Sequence, residues 1–229
     1  MSLEKKIRAA EKALEFVETG MKIGLGSGST ANEFIKLLSL KIKEGFDIEG
    51  VVTSQDTENL AKESNIPLTS LQEVKSLDIT IDGTDEVDSN LSLIKGGGGA
   101  LLREKIVAYN SEKFIIIADD SKKVDKLGNF KLPVEVSIYE NSATNLKILR
   151  KLEEVGYYGS SSIRKSQNTN FITDSGNYIY DFSLGSIEEP YIVDQLLNSI
   201  PGVIGHGLFI DLADIVIIAD EESVEILSK

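Results

Sequence analysis

The residues best suited to chemistry lie in four loops, and the first is the glycine-rich segment Gly24–Thr30, Gly-Leu-Gly-Ser-Gly-Ser-Thr. Glycines let the backbone approach a ligand closely, and the free N–H groups at the start of a following helix attract anions. Hydroxyls of Ser27, Ser29 and Thr30 add donors. The segment lacks the lysine of a P-loop and the third glycine of a dinucleotide-binding motif. Two interpretations stand, a phosphate-binding loop and a strand–helix turn capped by a hydroxyl.

The second loop, Asp82–Asp88, is acidic and follows an apolar run that has the character of a buried strand. Four carboxylates within seven residues repel each other unless a cation or a bound proton compensates them. The carboxyl ends of strands are where open α/β sheets bind ligands. A solvated acidic loop is the alternative, and the spacing matches no EF-hand calcium loop.

The third loop runs from Lys95 through four consecutive glycines into the predicted helix Ala100–Tyr109. A simple turn needs only one or two glycines, because each glycine costs conformational entropy when it is ordered. Glu104 would lie in the first or second turn of the helix, on the face that also carries Val107 and Ala108. Such a carboxylate could transfer protons. A glutamate that merely stabilises the helix N-terminus is the alternative.

The fourth loop, Asp119–Val124, follows the apolar run Phe114–Ala118 and offers Lys122. An exposed charged loop is the alternative interpretation. All four loops follow predicted strands of one parallel sheet, so we expect them to converge at one edge of it. Together the loops offer hydrogen-bond donors for an anion, several carboxylates, a lysine and a glutamate on a helix. This set suits proton transfer next to the carbonyl of a phosphorylated substrate.

Composition narrows the class of protein. The chain has 229 residues, of which 41% are hydrophobic, and a formal net charge of −13, which argues against a nucleic-acid partner. The chain has no cysteine, which excludes disulfides and thiolate catalysis. His206 is its only histidine, which excludes metal sites that need several histidines. The N-terminus is charged and amphipathic, unlike a signal peptide, and no apolar run approaches the ~20 residues that span a bilayer. We therefore expect a cytoplasmic protein that does not associate with membranes.

Strands and helices alternate through the first half of the chain, which predicts an α/β fold with a Rossmann-like parallel sheet. From about residue 133 the order becomes β-α-β-β-α-β, which predicts a smaller ferredoxin-like α+β domain that ends with a strand over Val203–Ile210. Ile215–Asp220 resembles Phe114–Asp119 and should return to the first sheet. The predicted division is residues 1–130 plus 211–229 for the catalytic domain and 131–210 for the small domain, which we expect to serve assembly.

Several motifs resemble those of the ribose-5-phosphate isomerase family of the A type, in the same order along nearly the whole chain. The segment from Lys95 to Lys105 is the most specific of them, whereas the first glycine loop alone is not. The matching segments are Gly26–Thr30, Thr53–Ser54, Asp82–Glu86, Lys95–Lys105, Asp120–Lys122, Pro133–Val136, Pro201–Val203 and Gly207–Phe209.

This resemblance implies an isomerase that interconverts D-ribose 5-phosphate and D-ribulose 5-phosphate through an enediol(ate), with no metal and no cofactor. It implies that Glu104 is the proton acceptor, that Lys95 stabilises the enediolate oxygens, and that Asp82 and Asp85 bind hydroxyls and assist ring opening. It also implies a homodimer or homotetramer. The implied substrate-binding residues are Ser27, Gly28, Ser29, Thr30, Asp82, Gly83, Thr84, Asp85, Lys95, Gly96, Gly97, Gly98 and Lys122.

Two other functions stay open. An amino-sugar-phosphate deaminase would be expected to use a histidine, and His206 fits that role poorly because it lies outside the matching motifs. A sugar-phosphate-sensing regulatory domain would carry a basic helix-turn-helix, for which residues 1–20 are too short. The presence of both Lys95 and Glu104 favours the enzyme.

Overall fold

The computed structural model describes residues 2–229. Its helices are α1 (Leu3–Leu14), α2 (Ser29–Lys43), α3 (Gln55–Glu63), α4 (Leu71–Val74), α5 (Leu101–Tyr109), α6 (Asn141–Glu154) and α7 (Pro190–Asn198), with a 3-10 turn at Asp120–Lys122. Its strands are β1 (Lys22–Leu25), β2 (Glu49–Val52), β3 (Ile79–Asp82), β4 (Glu86–Val87), β5 (Leu93–Ile94), β6 (Phe114–Asp119), β7 (Leu132–Val136), β8 (Ser160–Ile163), β9 (Lys165–Ser166), β10 (Thr169–Asn170), β11 (Tyr178–Ser183), β12 (Val203–His206), β13 (Leu208–Phe209), β14 (Ile215–Ala219) and β15 (Val224–Ser228). No helix within this described range is both long and apolar enough to cross a lipid bilayer.

The chain divides into two compact units. The first unit comprises Met1–Thr84, Arg103–Lys123 and Asp211–Lys229, and the second comprises Asp85–Leu102 and Val124–Ile210. Compared with the division expected from the sequence, residues 85–102 and 124–130 lie in the second unit. The reason is pairing, since β4 and β5 form a sheet with β13 and not with the strands of the first unit.

The first unit is built on a six-stranded sheet in the order β15-β14-β6-β3-β1-β2. All neighbours are parallel except β14 and β15. The continuous apolar run of β6 is buried along its whole length, as expected for a strand covered on both faces. Strand β14 pairs with β6 in parallel, which confirms the predicted return of the chain to this sheet.

The core of the first unit forms where α1 and α2 pack on this sheet. Small side chains on α1, namely Ala9, Ala10 and Ala13, are fully buried, which allows close approach of the helix. Phe34 and Leu38 of α2 lie one helical turn apart and are also fully buried. This packing fixes the sheet whose carboxyl ends carry the glycine-rich loop, Asp82 and Asp119.

The second unit contains a four-stranded antiparallel sheet in the order β12-β7-β11-β8. With α6 after β7 and α7 before β12, the chain order is β-α-β-β-α-β, so the predicted ferredoxin-like fold is confirmed. One apolar cluster joins both helices to the sheet. It contains Ile148 and Leu152 of α6, Val193 and Leu197 of α7, and Val134 of β7.

Gly207 divides the predicted strand Val203–Ile210 into two strands that belong to different sheets. Its N–H donates to the carbonyl of Pro133 at 2.7 Å, and its carbonyl accepts from the N–H of Lys95 at 2.8 Å. A Cβ at this position would collide with the Lys95 carbonyl, so only glycine fits. Strand β12 therefore extends the four-stranded sheet, and β13 pairs with β5.

The pairing of β5 corrects one prediction. Strand β5, which precedes Lys95, lies in the three-stranded sheet β13-β5-β4, where both pairings are antiparallel. The expectation that all four loops follow strands of one parallel sheet is therefore wrong for the Lys95 loop. Two-residue strands carry too little periodicity to identify their partners from sequence.

Candidate active site

In the first unit, the acidic residue Asp82 is held rigidly at the end of β3. Its carboxylate is fully buried, and Oδ1 accepts hydrogen bonds from the N–H groups of Ser27 at 3.0 Å and Gly83 at 2.7 Å. A Cβ at Gly26 would collide with the carboxylate and the backbone of Asp82. The glycine loop and this aspartate are thus packed directly on one another.

A cluster of hydroxyls supports the glycine loop from within the first unit. The Ser27 hydroxyl lies 2.7 Å from Oγ1 of Thr53 and donates to Oγ of Ser54 at 2.7 Å. Thr57 donates from Oγ1 to the carbonyl of Gly26 at 3.0 Å. The Ser27 hydroxyl is therefore hydrogen-bonded to its neighbours and helps to hold the glycine loop in its conformation.

Helix α2 begins directly after the glycine loop. Gly28 occupies the N-cap position with a φ of 99°, a left-handed conformation that favours glycine. Because glycine has no side chain, it caps none of the first N–H groups of α2, and the first turn carries no acidic residue. Ser29 and Thr30 thus lie at a helix end that is electrostatically suited to an anion.

Lys6 is a site residue that sequence reasoning missed. It lies on α1, and its Nζ donates a hydrogen bond to Oγ of Ser29 at 2.8 Å. An ammonium next to the N-terminus of α2 would add positive charge where an anion is expected. The signal available in the sequence was the pair Lys5-Lys6 at the start of an amphipathic helix, which is common on solvated surfaces.

Glu104 lies in the first turn of α5 in the first unit, as predicted. It is only 5% exposed, and the residues three and four positions further along, Val107 and Ala108, are also buried. Glutamates that stabilise a helix N-terminus are usually exposed, so the burial of Glu104 is unusual for that role. Burial therefore favours a chemical role over the capping alternative.

The loop after β6 is more ordered than an exposed charged loop. Asp119 is buried and accepts from the N–H of Ser121 at 3.1 Å, which caps the 3-10 turn that carries Lys122. Asp120 pairs with Lys5 at 2.9 Å. The hydrogen bond to Asp120 is the largest cause that raises the pKa of Lys5. This turn presents the half-buried Lys122 in the first unit.

In the second unit, the Lys95 loop is tied down by an aspartate and an aromatic ring. The N–H of Gly97 donates to Oδ2 of Asp85 at 2.7 Å. Lys95 is 2% exposed, and its Nζ lies 5.5 Å from the centroid of the Phe209 ring. An ammonium over an aromatic face is stabilised by the ring quadrupole, so the charge of Lys95 is held in a defined place.

The remaining carboxylates of the acidic segment have structural roles in the second unit. Glu86 is buried and accepts from the backbone N–H groups of Gly128 and Phe130. Asp88 accepts from the N–H groups of Asn90 and Ser92, both at 2.9 Å. Burial raises the pKa of Asp88, and these two hydrogen bonds oppose the rise. The alternative of a solvated acidic loop is wrong for these residues.

His206 is a buried residue of the second unit. His206 is fully buried in β12, where its Nε2 lies 3.1 Å from Oδ1 of Asn198, so it is a core residue at a strand end. Within residues 2–229, no group of three or more histidine, aspartate or glutamate side chains is arranged to hold a metal ion.

Comparisons with known proteins identify clear relatives. Residues 49–223 match the family model described as ribose 5-phosphate isomerase A (phosphoriboisomerase A). The ribose-5-phosphate isomerase A of Rhizobium meliloti (strain 1021) is 52% identical over 223 residues, which cover 97% of this chain and 96% of that protein. The ribose-5-phosphate isomerase A of Agrobacterium fabrum (strain C58 / ATCC 33970) is 49% identical over 222 residues, which cover 97% of this chain and 96% of that protein.

The fold of this chain matches those of solved structures over nearly its whole length. The ribose 5-phosphate isomerase from Plasmodium falciparum superposes with a TM-score of 0.93 at 38% identity, and the match covers 98% of this chain and 97% of that one. A D-ribose-5-phosphate isomerase in complex with phospho-erythronic acid superposes with a TM-score of 0.92 at 42% identity and covers both chains completely. The similarity thus includes every segment that carries a candidate site residue.

Proposed function

The chain belongs to the ribose 5-phosphate isomerase A family and interconverts D-ribose 5-phosphate and D-ribulose 5-phosphate, and we propose that Glu104 moves the proton between the two reacting carbons. The family places this aldose–ketose isomerisation in the pentose phosphate pathway. The observation that supports the assignment of Glu104 is its placement, since this carboxylate is only 5% exposed and stands in the first turn of the helix that directly follows the Lys95 glycine loop in the chain.

The reaction moves two protons and leaves the formula of the sugar phosphate unchanged. Glu104 takes the proton from C2 of the open-chain aldose, and the electron pair of that C–H bond forms the C1–C2 double bond of an enediolate. The aldehyde oxygen O1 takes up negative charge and then a proton, while the hydroxyl on C2 loses its proton and becomes the ketone. Glu104 returns the carbon-bound proton to C1. A single base on one face of the sugar can perform both carbon transfers.

The negative charge that develops on O1 and O2 requires a fixed cation. We assign this role to Lys95, because its ammonium is buried and its position is defined by Phe209. Asp82 and Asp85 accept hydrogen bonds from backbone N–H groups, and an ionised carboxylate can accept several hydrogen bonds at once, including those of sugar hydroxyls. We assign them hydroxyl binding and assistance in opening the sugar ring.

The phosphate of the substrate suits the N-terminus of α2. Ser29, Thr30 and the ammonium of Lys6 offer donors there, and Lys122 supplies a further positive charge from the first unit. Gly28, Gly83, Thr84 and the backbone of Gly96–Gly98 complete the proposed substrate-binding set. Ser27 contributes by holding the loop.

The ligand of one related structure supports this assignment. Phospho-erythronic acid is bound to a D-ribose-5-phosphate isomerase that is 42% identical to this chain. The molecule combines a phosphate with a carboxylate, whose two oxygens share a negative charge in the way that O1 and O2 of an enediolate do. The N-terminus of α2 in the first unit is suited to a phosphate, and the buried ammonium of Lys95 in the second unit is suited to a carboxylate.

The direct test is an isomerase assay with purified protein and D-ribose 5-phosphate in deuterated water after exhaustive treatment with chelator. We expect formation of ribulose 5-phosphate and entry of solvent deuterium at C1, since a carboxylate base exchanges with solvent. Absence of the ketose would contradict the function. Activity that returns only with a divalent ion would contradict the metal-free mechanism.

We further propose that the enzyme is a cytoplasmic homodimer or homotetramer that assembles through the second unit. Exposed apolar side chains in that unit, among them Tyr139, Leu146 and Tyr191, support this proposal because such surfaces favour association. A cytoplasmic location suits a phosphorylated substrate, whose charge prevents free passage through membranes. Light scattering during gel filtration tests the assembly, and a monomer would contradict it. Cell fractionation tests the location, and recovery outside the cytoplasm would contradict that.

A further inference from the structure

Arg164 contacts the glycine loop of the second unit through two backbone carbonyls. It lies between β8 and β9, and its Nη1 donates to the carbonyl of Gly96 at 2.7 Å and to that of Gly97 at 3.2 Å. Both acceptors belong to the segment directly after Lys95. The contact was not visible in the sequence, because a single arginine between two short strands belongs to no motif.

The guanidinium group of Arg164 is itself held from two sides. Its Nε donates to Oδ2 of Asp181 at 3.0 Å and its Nη2 pairs with Oδ1, which is the two-point geometry that arginine and a carboxylate prefer. The ring of Phe171 lies 6.0 Å from the central guanidinium carbon. Both charged side chains are largely buried, with 14% and 17% exposure, so the pair is little screened by solvent.

The glycine loop has little means of ordering itself. Gly96 and Gly99 have φ values of 103° and 87°, and four consecutive glycines have many alternative conformations in water. The loop is fixed from outside, since Asp85 accepts from the N–H of Gly97 and Arg164 donates to the carbonyls of Gly96 and Gly97. The Phe171 ring occupies the space that a Cβ at Gly99 would need.

We propose that Arg164, oriented by Asp181, is a positioning residue for the isomerase reaction, which acts by fixing the backbone of Gly96 and Gly97 and thereby the position of Lys95. This inference rests on the proposed roles of Lys95 and Gly96–Gly98. Arginine suits the task better than lysine, because its planar fork contacts a carboxylate and two carbonyls at once, whereas an ammonium has no such fixed geometry.

The test compares Arg164→Ala with Lys126→Ala. Lys126 pairs with the exposed Glu188 in the same unit and lies outside the proposed site, so its variant controls for the loss of an ion pair. For Arg164→Ala we expect kcat to fall by about tenfold to a hundredfold, the scale of a small misplacement of catalytic groups, while Lys126→Ala keeps normal kcat. The inhibition constant for phospho-erythronic acid should rise by a larger factor than KM for the substrate. The reason is that Lys95, which the loop positions, is proposed to stabilise the charge that develops during the reaction.

Addition of millimolar guanidinium chloride distinguishes positioning from general stability. We expect it to restore part of the kcat of Arg164→Ala and to leave Lys126→Ala and the wild type unchanged, with sodium chloride as the salt control. Normal kcat in folded Arg164→Ala would overturn the inference, and so would a loss that guanidinium does not restore.

If Arg164→Ala does not fold, Asp181→Asn gives the second measurement. It keeps the side-chain shape and leaves the guanidinium near the carbonyls. Loss of the charge of Asp181 from this largely buried pair should lower the melting temperature, so kcat is measured well below it. A partial fall in kcat is expected there, and normal kcat would overturn the inference. A parallel Lys95→Met variant separates this proposal from the proposed function. If Lys95→Met retains full activity, the role of the loop is wrong; if it is inactive while the Arg164 variants are normal, only the role of Arg164 is wrong.

Discussion

The amide N–H of Ser27 donates a hydrogen bond of 3.0 Å to Oδ1 of Asp82, which joins the glycine-rich loop to the end of β3. The neighbouring Gly26 has no room for a Cβ, because the Asp82 carboxylate and backbone occupy that space. The carboxylate that we propose to bind hydroxyls is thus hydrogen-bonded directly to the loop that leads into α2. Displacement of one would displace the other.

Glu104→Gln should remove the proposed base while keeping its shape. We expect kcat to fall by about 10²–10⁴-fold, the usual contribution of general-base catalysis, with KM and the melting temperature nearly unchanged. The matched control is Glu112→Gln, which alters an exposed carboxylate just after the same helix and should retain full activity. Near-normal turnover of Glu104→Gln, together with an inactive Asp82→Asn, would move the base to the acidic segment.

Lys95→Met should remove the cation that we propose to stabilise the enediolate oxygens. Loss of one oxyanion donor costs about 10²–10³-fold in kcat in other enzymes, and we expect a loss of at least that size here. The ammonium of Lys95 lies over the Phe209 ring, and the thioether of methionine can also contact an aromatic ring, so the fold should remain, as measured by circular dichroism. If Lys95→Met raised only KM, the lysine would bind the ground state of the substrate and would not stabilise the enediolate.

Lys6→Met should weaken binding of the phosphate without slowing the chemistry. A charge-assisted hydrogen bond is worth ~1.5–3 kcal/mol, which corresponds to a rise of roughly tenfold to a hundredfold in KM at nearly constant kcat. The control is Lys12→Met, on the same helix but paired with Glu15. Free ribose should be a very poor substrate for every variant, and comparable kcat/KM for ribose and ribose 5-phosphate would contradict the phosphate site.

Asp88→Asn should change how stability depends on pH. Burial raises the pKa of Asp88 above its unfolded value, so the folded state binds more protons than the unfolded state between the two pKa values. The contribution of this carboxylate to the free energy of unfolding therefore falls as pH rises through that window and stays low above it. Asparagine keeps an oxygen that can accept from Asn90 and Ser92 and carries no charge. The variant should gain stability over the wild type as pH rises from acid to neutral, as measured by urea unfolding.

Asp220→Asn provides the control of opposite sign. Hydrogen bonds from the N–H groups of Ser223 and Glu222 lower the pKa of Asp220, so its contribution to stability is present at neutral pH and is lost in acid as pH falls through the folded-state pKa. This variant should therefore lose stability relative to the wild type at neutral pH and lose little in acid. If the two variants showed the same dependence on pH, the direction assigned to Asp88 would be wrong.

The elements with strong periodicity or continuous apolar runs were predictable. Strand β6 was predicted at Phe114–Ala118 and lies at Phe114–Asp119, because a parallel strand covered on both faces needs an unbroken apolar run. Helix α5 was predicted to start at Ala100 and starts at Leu101. The position of the first glycine loop was predictable because it lies between an apolar run and a helical pattern, and the structure places it between β1 and α2.

The interactions that were missed depend on tertiary pairing. The contact of Arg164 with Asp181 follows from the antiparallel register of β8 and β11, which no local pattern encodes. Lys6 reaches Ser29 only because α1 packs beside α2 in the first unit. The burial of Glu104 was likewise undecided, since helical spacing gives the face of a side chain and not what covers it.

The discontinuity of the first unit has a consequence for biosynthesis. Strand β14 pairs with β6, yet residues 124–210 are translated between them, and most of these form the ferredoxin-like sheet and its helices. On a translating ribosome, the second unit is therefore complete in sequence while the first still lacks two of its six strands. Until β14 has left the ribosome, β6 lacks its partner on that edge, and an unpaired apolar strand edge is open to capture by a chaperone or by another unfinished chain.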